Sequence, residues 1–505
     1  MRESRGARAC ARWQEPCICG ADVAAFAVNA DTPLFERLPM RKLVFVFAPA
    51  ALALVTLMAC ENDSPSGPAG PTFDAGLPDW NAPPTTFEGG PTPDAAPDAP
   101  AVPSVSVTVT GASGPKAGVR VVFHDATGAV LDTKLTGSDG KATHTGTTPS
   151  MASALVQAGT KRRIVTWTGV EDGDDLQLRA EETDELVGMY SVTFSSMPDG
   201  GASMFAVEGP CGDNMSYGTA AELPMYRFCS RPQNAFLATA RTFSGTLVGH
   251  AFKKGNTAIT DGGTGAITLG GWQAPSTFSL TAANVPAEVE FDTELLEIAD
   301  GAGYRTRWGD SEGTTVSYRT AAGFADAYQA SFWVGFDDIE RAITKRVAND
   351  VTNVAFDYAD LLPAIEDAFV DATNPRRPVV SWTPAASTAN IDGGLVHFTF
   401  SRPDDEGTYT WTFVVSPSAT SVTAPAMPVE AESFLPPPPD AGVSTSFWGP
   451  KVLLVEADVL PGYAAFRGQQ GTLLDATVAD IWMRALPALP IDGTFRTTSY
   501  AQLPR

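Results

Sequence analysis

Between residues 104 and 181 apolar and polar positions alternate almost one for one. Ser104-Val105-Ser106-Val107-Thr108-Val109-Thr110 is strict, and a period of two puts its three valines on one face of a half-buried strand. Gly114-Pro115 marks a turn, and Val119-Arg120-Val121-Val122-Phe123 reads as the next strand. Asp125 to Gly128 turns the chain again, Val130 to Thr136 is a third strand, and Ser138-Asp139-Gly140-Lys141 ends it. Turn signals at this spacing, every 8 to 12 residues or about that, predict a small β-sandwich.

The alternation continues. Tyr190 to Phe194 and Thr277 to Thr281 read as strands, as do Thr314 to Tyr318 and Phe332 to Phe336. Asp338 to Ala348 is ambiguous, because Ile339, Ile343 and Val347 fit one face of a helix or an edge strand. From 375 onward Pro378 to Thr383, Leu395 to Ser401, Tyr409 to Val415 and Val452 to Val459 are apolar strands, with Trp382 expected in the core. Pro436 to Pro439 predicts a stiff loop, and Thr472 to Leu486 a helix. The expected fold is all-β, with tandem sandwich modules at 104–181, 185–372 (one or two modules) and 375–505.

Two stretches do not alternate. Leu43 to Thr56 is an apolar run after Arg41 and Lys42. It falls short of the about 20 residues a membrane span needs and contains Pro49, so it reads as the apolar region of an export signal. Residues 61–103 hold eleven Pro, seven Asp/Glu and no Lys or Arg. Such a composition cannot bury a core. It predicts a semi-extended tether reaching at most roughly 130 Å at about 3.1 Å per residue. Residues 1–39 are Arg-rich and patternless, and are expected to lie upstream of the true start at Met40.

Leu57-Met58-Ala59-Cys60 resembles the lipobox of bacterial lipoproteins, with Met58 in place of the usual small residue. The resemblance implies cleavage of 40–59 and acylation of Cys60. Several buried chains, at about 0.8 kcal/mol per CH₂, anchor stably where one would not. The order A-G-V-x-V-x-F, G-x-V-L-x-T, T-x-x-D-G-x-A, carried by Ala117 to Phe123, Gly128 to Thr133 and Thr136 to Ala142, resembles carboxypeptidase regulatory-like and bacterial immunoglobulin-like modules. These are accessory domains, so no catalysis is implied. Pro378 to Trp382, Tyr409 to Val415 and Thr423 to Pro428 loosely resemble fibronectin type III modules. As a whole the chain resembles uncharacterised surface lipoproteins of Gram-negative bacteria.

Charge narrows the partners. The chain has a net charge of −24, and residues 60–505 carry 27 Lys/Arg against 53 Asp/Glu. That surface repels nucleic acid and anionic headgroups, so a soluble body held off the membrane, not lying on it, is expected. Of six cysteines, Cys10, Cys17 and Cys19 precede the signal and Cys60 is the lipid site. Cys17 and Cys19 have no second ligand pair nearby to make a metal site. Cys211 and Cys229 remain, an even count in an exported body, and predict a disulfide.

Candidate chemistry is sparse. Gly309-Asp310-Ser311-Glu312-Gly313 matches G-x-S-x-G, but the nucleophile elbow needs an apolar strand before it and a helix after it. Tyr304 to Trp308 and Thr314 to Tyr318 are neither, so a hairpin is the preferred reading. His397 and Asp404 follow Ser311 in a usable order. His124, His144, His250 and His397 are not paired at ligand spacing and are expected on strand surfaces. Glu171, Asp172, Asp174 and Asp175 are dense enough to hold Ca²⁺, or form a solvated loop. The expectation is a non-catalytic, lipid-anchored envelope protein without cofactor or nucleic-acid partner. Its role is binding, adhesion or display toward an extracellular protein or glycan. The alternatives are a secreted serine hydrolase using Ser311 and a Ca²⁺-dependent carbohydrate binder.

Overall fold

A computed structural model describes residues 102–111, 114–180, 186–196, 198, 202–216, 218–226, 229, 233–243, 247–257, 259, 262–305, 309–336, 338–402, 405–438, 447–468 and 492–501. The signal, Cys60, residues 61–101 of the tether and the helix expected at 472–486 lie outside these residues.

Strand is the dominant regular structure of the described chain, and helix is confined to short segments. The first stretch forms β1 (Ser104–Gly111), β2 (Gly114–Pro115), β3 (Arg120–His124), β4 (Val130–Leu135), β5 (Lys141–Thr145), β6 (Met151–Ala158), β7 (Lys161–Thr168) and β8 (Asp175–Arg179). Next come β9 (Leu186–Phe194), β10 (Met204–Gly209), β11 (Gly212–Ser216), β12 (Ala220–Tyr226), β13 (Gln233–Arg241), β14 (Leu247–Thr257) and β15 (Gly263–Leu269). Then follow β16 (Ser276–Ala283), β17 (Phe291–Ala299), β18 (Ala302–Arg305), β19 (Gly309–Glu312), β20 (Thr315–Thr320), β21 (Ala327–Phe336), β22 (Ile339–Ala348) and β23 (Asn353–Asp357). The last stretch contributes β24 (Ile365–Asp371), β25 (Val379–Pro384), β26 (Gly393–Arg402), β27 (Asp405–Val415), β28 (Ser421–Thr423), β29 (Phe447–Ala457), the short helix α1 (Tyr463–Arg467) and β30 (Thr494–Ala501).

The sandwiches follow one another along the chain, and three of them share one sheet. Its twelve strands run β18-β17-β21-β22-β30-β29-β26-β27-β7-β6-β3-β4. A sheet of β2-β1-β5, with β8 beside β1, covers one face. Val105, Val107 and Val109 there pack with Phe123, Val165 and Trp167. The sheets β24-β25-β28 and β19-β20-β16-β23 cover the other face. Trp382 and Val380 meet Val396, Phe398 and Trp411, and Phe278 and Leu280 meet Phe332 and Ile343. The middle strands are therefore covered twice. Leu453 and Leu454, neighbours in sequence, belong to opposite cores. This is why Val452 to Val455 reads as a continuous apolar run. A fourth sandwich pairs β11-β10-β13-β14 with β12-β9-β15 around Tyr190, Leu223 and Phe236.

Asp338 to Ala348 resolves as a strand, β22, and not an edge one: β21 and β30 flank it. Its polar residues are accounted for by the neighbouring sheet. Arg341 lies over the Tyr358 ring and Lys345 over Phe356, so their stems pack on the rings while Arg341 donates to the Tyr358 hydroxyl at 2.7 Å and Lys345 to Ala355 O at 2.8 Å.

Candidate functional site

A bonded polar cluster lies where the first stretch meets the last. β27 pairs in parallel with β7, joining Thr408 to Lys161 and Val414 to Trp167. Trp411 Nε1 donates to Thr166 Oγ1 at 3.0 Å, Thr166 and Ser153 hydroxyls meet at 2.9 Å, and Ser153 Oγ lies 3.0 Å from His124 Nε2. The chain of contacts crosses β27, β7, β6 and β3. Arg162 reaches the Tyr409 hydroxyl, and Thr168 Oγ1 donates to Val414 O at 3.0 Å. The seam is bonded along its length.

His124 and Ser153 have the spacing of a base and its nucleophile, but both are fully buried. A nucleophile must reach a carbonyl or phosphoryl group, and this one faces only strands. Burial and Arg377 lower the His124 imidazole to about 4, while Asp125 works in the opposite direction. The pair is a neutral structural link. Nothing in the sequence marked it, because alternation does not show which strands pair and Trp411 lies 245 positions from Thr166.

The acidic loop does not stand free. The Arg467 guanidinium, 2% exposed, donates to Asp174 at 3.0 Å and Glu171 at 3.2 Å, and also to Gly169 O. Asp172 accepts from the Ser104 N–H at 2.6 Å, and Asp175 from Ser106 Oγ at 2.7 Å. Tyr463 lies against the same guanidinium, and burial pushes its hydroxyl up to about 12. The carboxylates that could gather around Ca²⁺ are thus shared between one buried cation and the start of β1. Among the described residues no three His, Cys, Asp or Glu side chains come together as a metal set.

The remaining candidates are dispersed. Ser311 sits on β19 opposite Val316 of β20, and the chain turns at Gly313, where φ is 63°. Strand, tight turn and strand is a hairpin, without the helix an elbow requires. Asp404 lies outside the described residues. His397 is on β26 between Thr412 and Lys451, in a different sheet from Ser311. Burial, then Lys451 and Arg163, holds its imidazole at about 3. His144 bonds Asp132 at 3.1 Å and Thr147 O at 3.0 Å. His250 is buried against Phe252 and its pKa is lowered by burial. The expectation of surface histidines therefore fails for His124, His144 and His250, which are buried, while His397 is half-buried.

Cys211 and Cys229 form a disulfide with Cα atoms 5.2 Å apart, closing the β11–β12 side of the fourth sandwich. Glu294, 4% exposed, pairs with Arg305 across the β17–β18 hairpin; burial raises its pKa and Arg305 opposes that. Among the described residues no helix is long and apolar enough to cross a membrane.

No family model matches the chain, and no curated protein is similar to it. Among solved structures, the Bacillus anthracis TIE protein is 11% identical over 51% of this chain and 50% of its own, with a TM-score of 0.14. This chain thus spans about half the length of that protein. Chicken CNTN1 domains FN1–FN3 are 12% identical over 50% of this chain and 83% of theirs, with a TM-score of 0.14. Escherichia coli α2-macroglobulin is 10% identical over 70% of this chain and 27% of its own, at 0.10. At these TM-scores the likenesses carry no argument about fold or function.

Proposed function

We propose that the protein is a lipid-anchored envelope protein. In this reading Cys60 carries the lipid, residues 61–103 space the body from the membrane, and the fused sandwiches act as a rigid binding or display element. Its partner is an extracellular protein or glycan, met by loops of residues 185–505. One observation carries the reading: the ordered sequence of Arg41-Lys42, the apolar run 43–56 and Leu57-Met58-Ala59-Cys60. The acidic, Lys- and Arg-free tether supports it, because such a segment neither folds nor lies on anionic headgroups. A body whose strands lock three sandwiches to one sheet suits loops that must be held in place.

Palmitate labelling of Cys60→Ala cells tests the anchor. Loss of label with release or stalling of the precursor is expected, and retained label with membrane partitioning overturns it. Protease added to intact cells tests the placement. Cleavage of the body is expected; protection until the outer membrane is broken puts it in the periplasm and removes the display role.

A further inference from the structure

β4 ends the shared sheet, and among the described residues no strand lies against its outer side. Thr136 N–H donates to Val119 O, and Gly118 N–H to Thr136 O. The backbone groups of Thr136, Lys134 and Asp132 therefore face β3, while those of Thr133 and Leu135 face outward. The Thr133 N–H is taken by its neighbour's Asp132 Oδ1 at 2.8 Å. The side chains follow the same alternation. Asp132 and Lys134 lie on the face of Phe123, 3.3 Å apart, and Thr133 and Leu135 on the face of Val122. Three apolar side chains are left in water here: Val130 at 39% exposure, Leu131 at 40% and Leu135 at 57%. An apolar open edge is a template for another strand.

We propose that β4 pairs antiparallel with β4 of a second copy of this chain, about a twofold axis at Thr133. In that register Asp132 of each copy lies opposite Lys134 of the other, and Leu131 opposite Leu135, each pairing occurring twice. Thr133 meets Thr133, and each Thr133 N–H gives up its Asp132 Oδ1 acceptor for the carbonyl of the other copy's Thr133, two hydrogen bonds in all. Neighbouring registers lack this match. An axis at Asp132 sets carboxylate against carboxylate, an axis at Lys134 sets amine against amine, and an axis between Asp132 and Thr133 leaves both charges opposite uncharged residues. A twofold contact must be complementary to itself, and cross-strand opposite charges stabilise where like charges oppose. The lone Lys134, which would deter an apolar or basic strand, is matched by the one strand that presents Asp at that place. Two twelve-stranded sheets would then continue into one.

Sedimentation velocity of the full chain tests this, with thermal melts as the check on folding. The wild type is expected to show a concentration-dependent dimer. Asp132→Lys and Lys134→Asp each turn two attractive pairs into repulsive ones and are expected to weaken association about tenfold. The double exchange Asp132→Lys with Lys134→Asp restores the pairs and is expected to restore the dimer. Thr133→Pro removes the outward N–H together with its bond to Asp132 Oδ1, leaves the bonds to β3 in place, and is expected to abolish the dimer. A monomeric wild type overturns the proposal, the edge then being left for another protein's strand. A dimer unaffected by the single exchanges and by Thr133→Pro overturns it as well, and a double variant as weak as the singles overturns the register.

Discussion

Trp411 Nε1 donates to Thr166 Oγ1 at 3.0 Å across the parallel seam between β27 and β7. Both residues are fully buried, and the indole sits inside the core that contains Phe398 and Phe413. Thr166→Val keeps the shape and leaves the indole N–H without a partner in a dry site. The expected loss is about 1–3 kcal/mol in urea unfolding. Adding Trp411→Phe removes the orphaned donor, so the double variant is expected to lose less than the sum of the singles. Strict additivity would show that the bond does not couple the two stretches.

Acid is expected to destabilise the body well before its carboxylates titrate. His124 is held at about 4 in the fold against 6.5 unfolded, so its neutral form stabilises fully above pH 6.5. As pH falls from 6.5 to 4 the unfolded chain takes a proton that the folded chain refuses, and stability drops. One such imidazole accounts for up to about 3 kcal/mol across that window. His397 and His250, also lowered by burial, act in the same direction. The urea midpoint at pH 5 should lie below that at pH 7, and His124→Gln should reduce the difference. An equal difference in the variant would remove His124 as its source.

Arg467→Ala takes the positive partner that Glu171 and Asp174 share among the described residues and leaves the largely enclosed Asp174 without it. Breaking a buried pair of this kind costs about 3–5 kcal/mol. Hydrogen exchange is expected to rise in residues 169–175 and in α1 together. A rise confined to α1 would show that the loop holds its shape without the guanidinium.

The Cys211–Cys229 disulfide closes a sequence separation of 18, worth about 3 kcal/mol in the chain-entropy account. Replacing both cysteines by alanine is expected to lower the stability of the β9–β15 sandwich by about that amount. The shared sheet is expected to unfold unchanged. A common shift of both transitions would mean that the two parts unfold as one unit.

Much of the fold was legible because strand periodicity is local. Val105, Val107 and Val109 announce their face by themselves, and Trp382 is in the core where an early-strand Trp was expected. β22 was not legible: Ile339, Ile343 and Val347 are four apart, which suits a helix. The intervening Arg341 and Lys345 belong to the buried face only because Tyr358 and Phe356 lie beneath them. Nor could alternation show which strands pair. β7 and β27 are joined over some 247 positions, and no local pattern specifies a parallel neighbour. The polar seam was hidden for the same reason. His124, Ser153 and Thr166 sit at positions a single sandwich would expose, and a second sandwich on the opposite face covers them.

The pairing of β1 decides how the body would meet mechanical load. β1 receives the chain at Ser104, and β8 runs parallel beside it, with Ser106 against Asp175 and Thr110 against Arg179. A pull arriving through residue 103 and taken up beyond residue 180 therefore enters and leaves at opposite ends of one ladder. The bonds between β1 and β8 are strained together, in shear, and must fail as a set; peeling them one after another would need the two ends on the same side. A chain hauled by its proline-rich stem would thus resist at its first strand, where Asp172 already clasps the Ser104 amide.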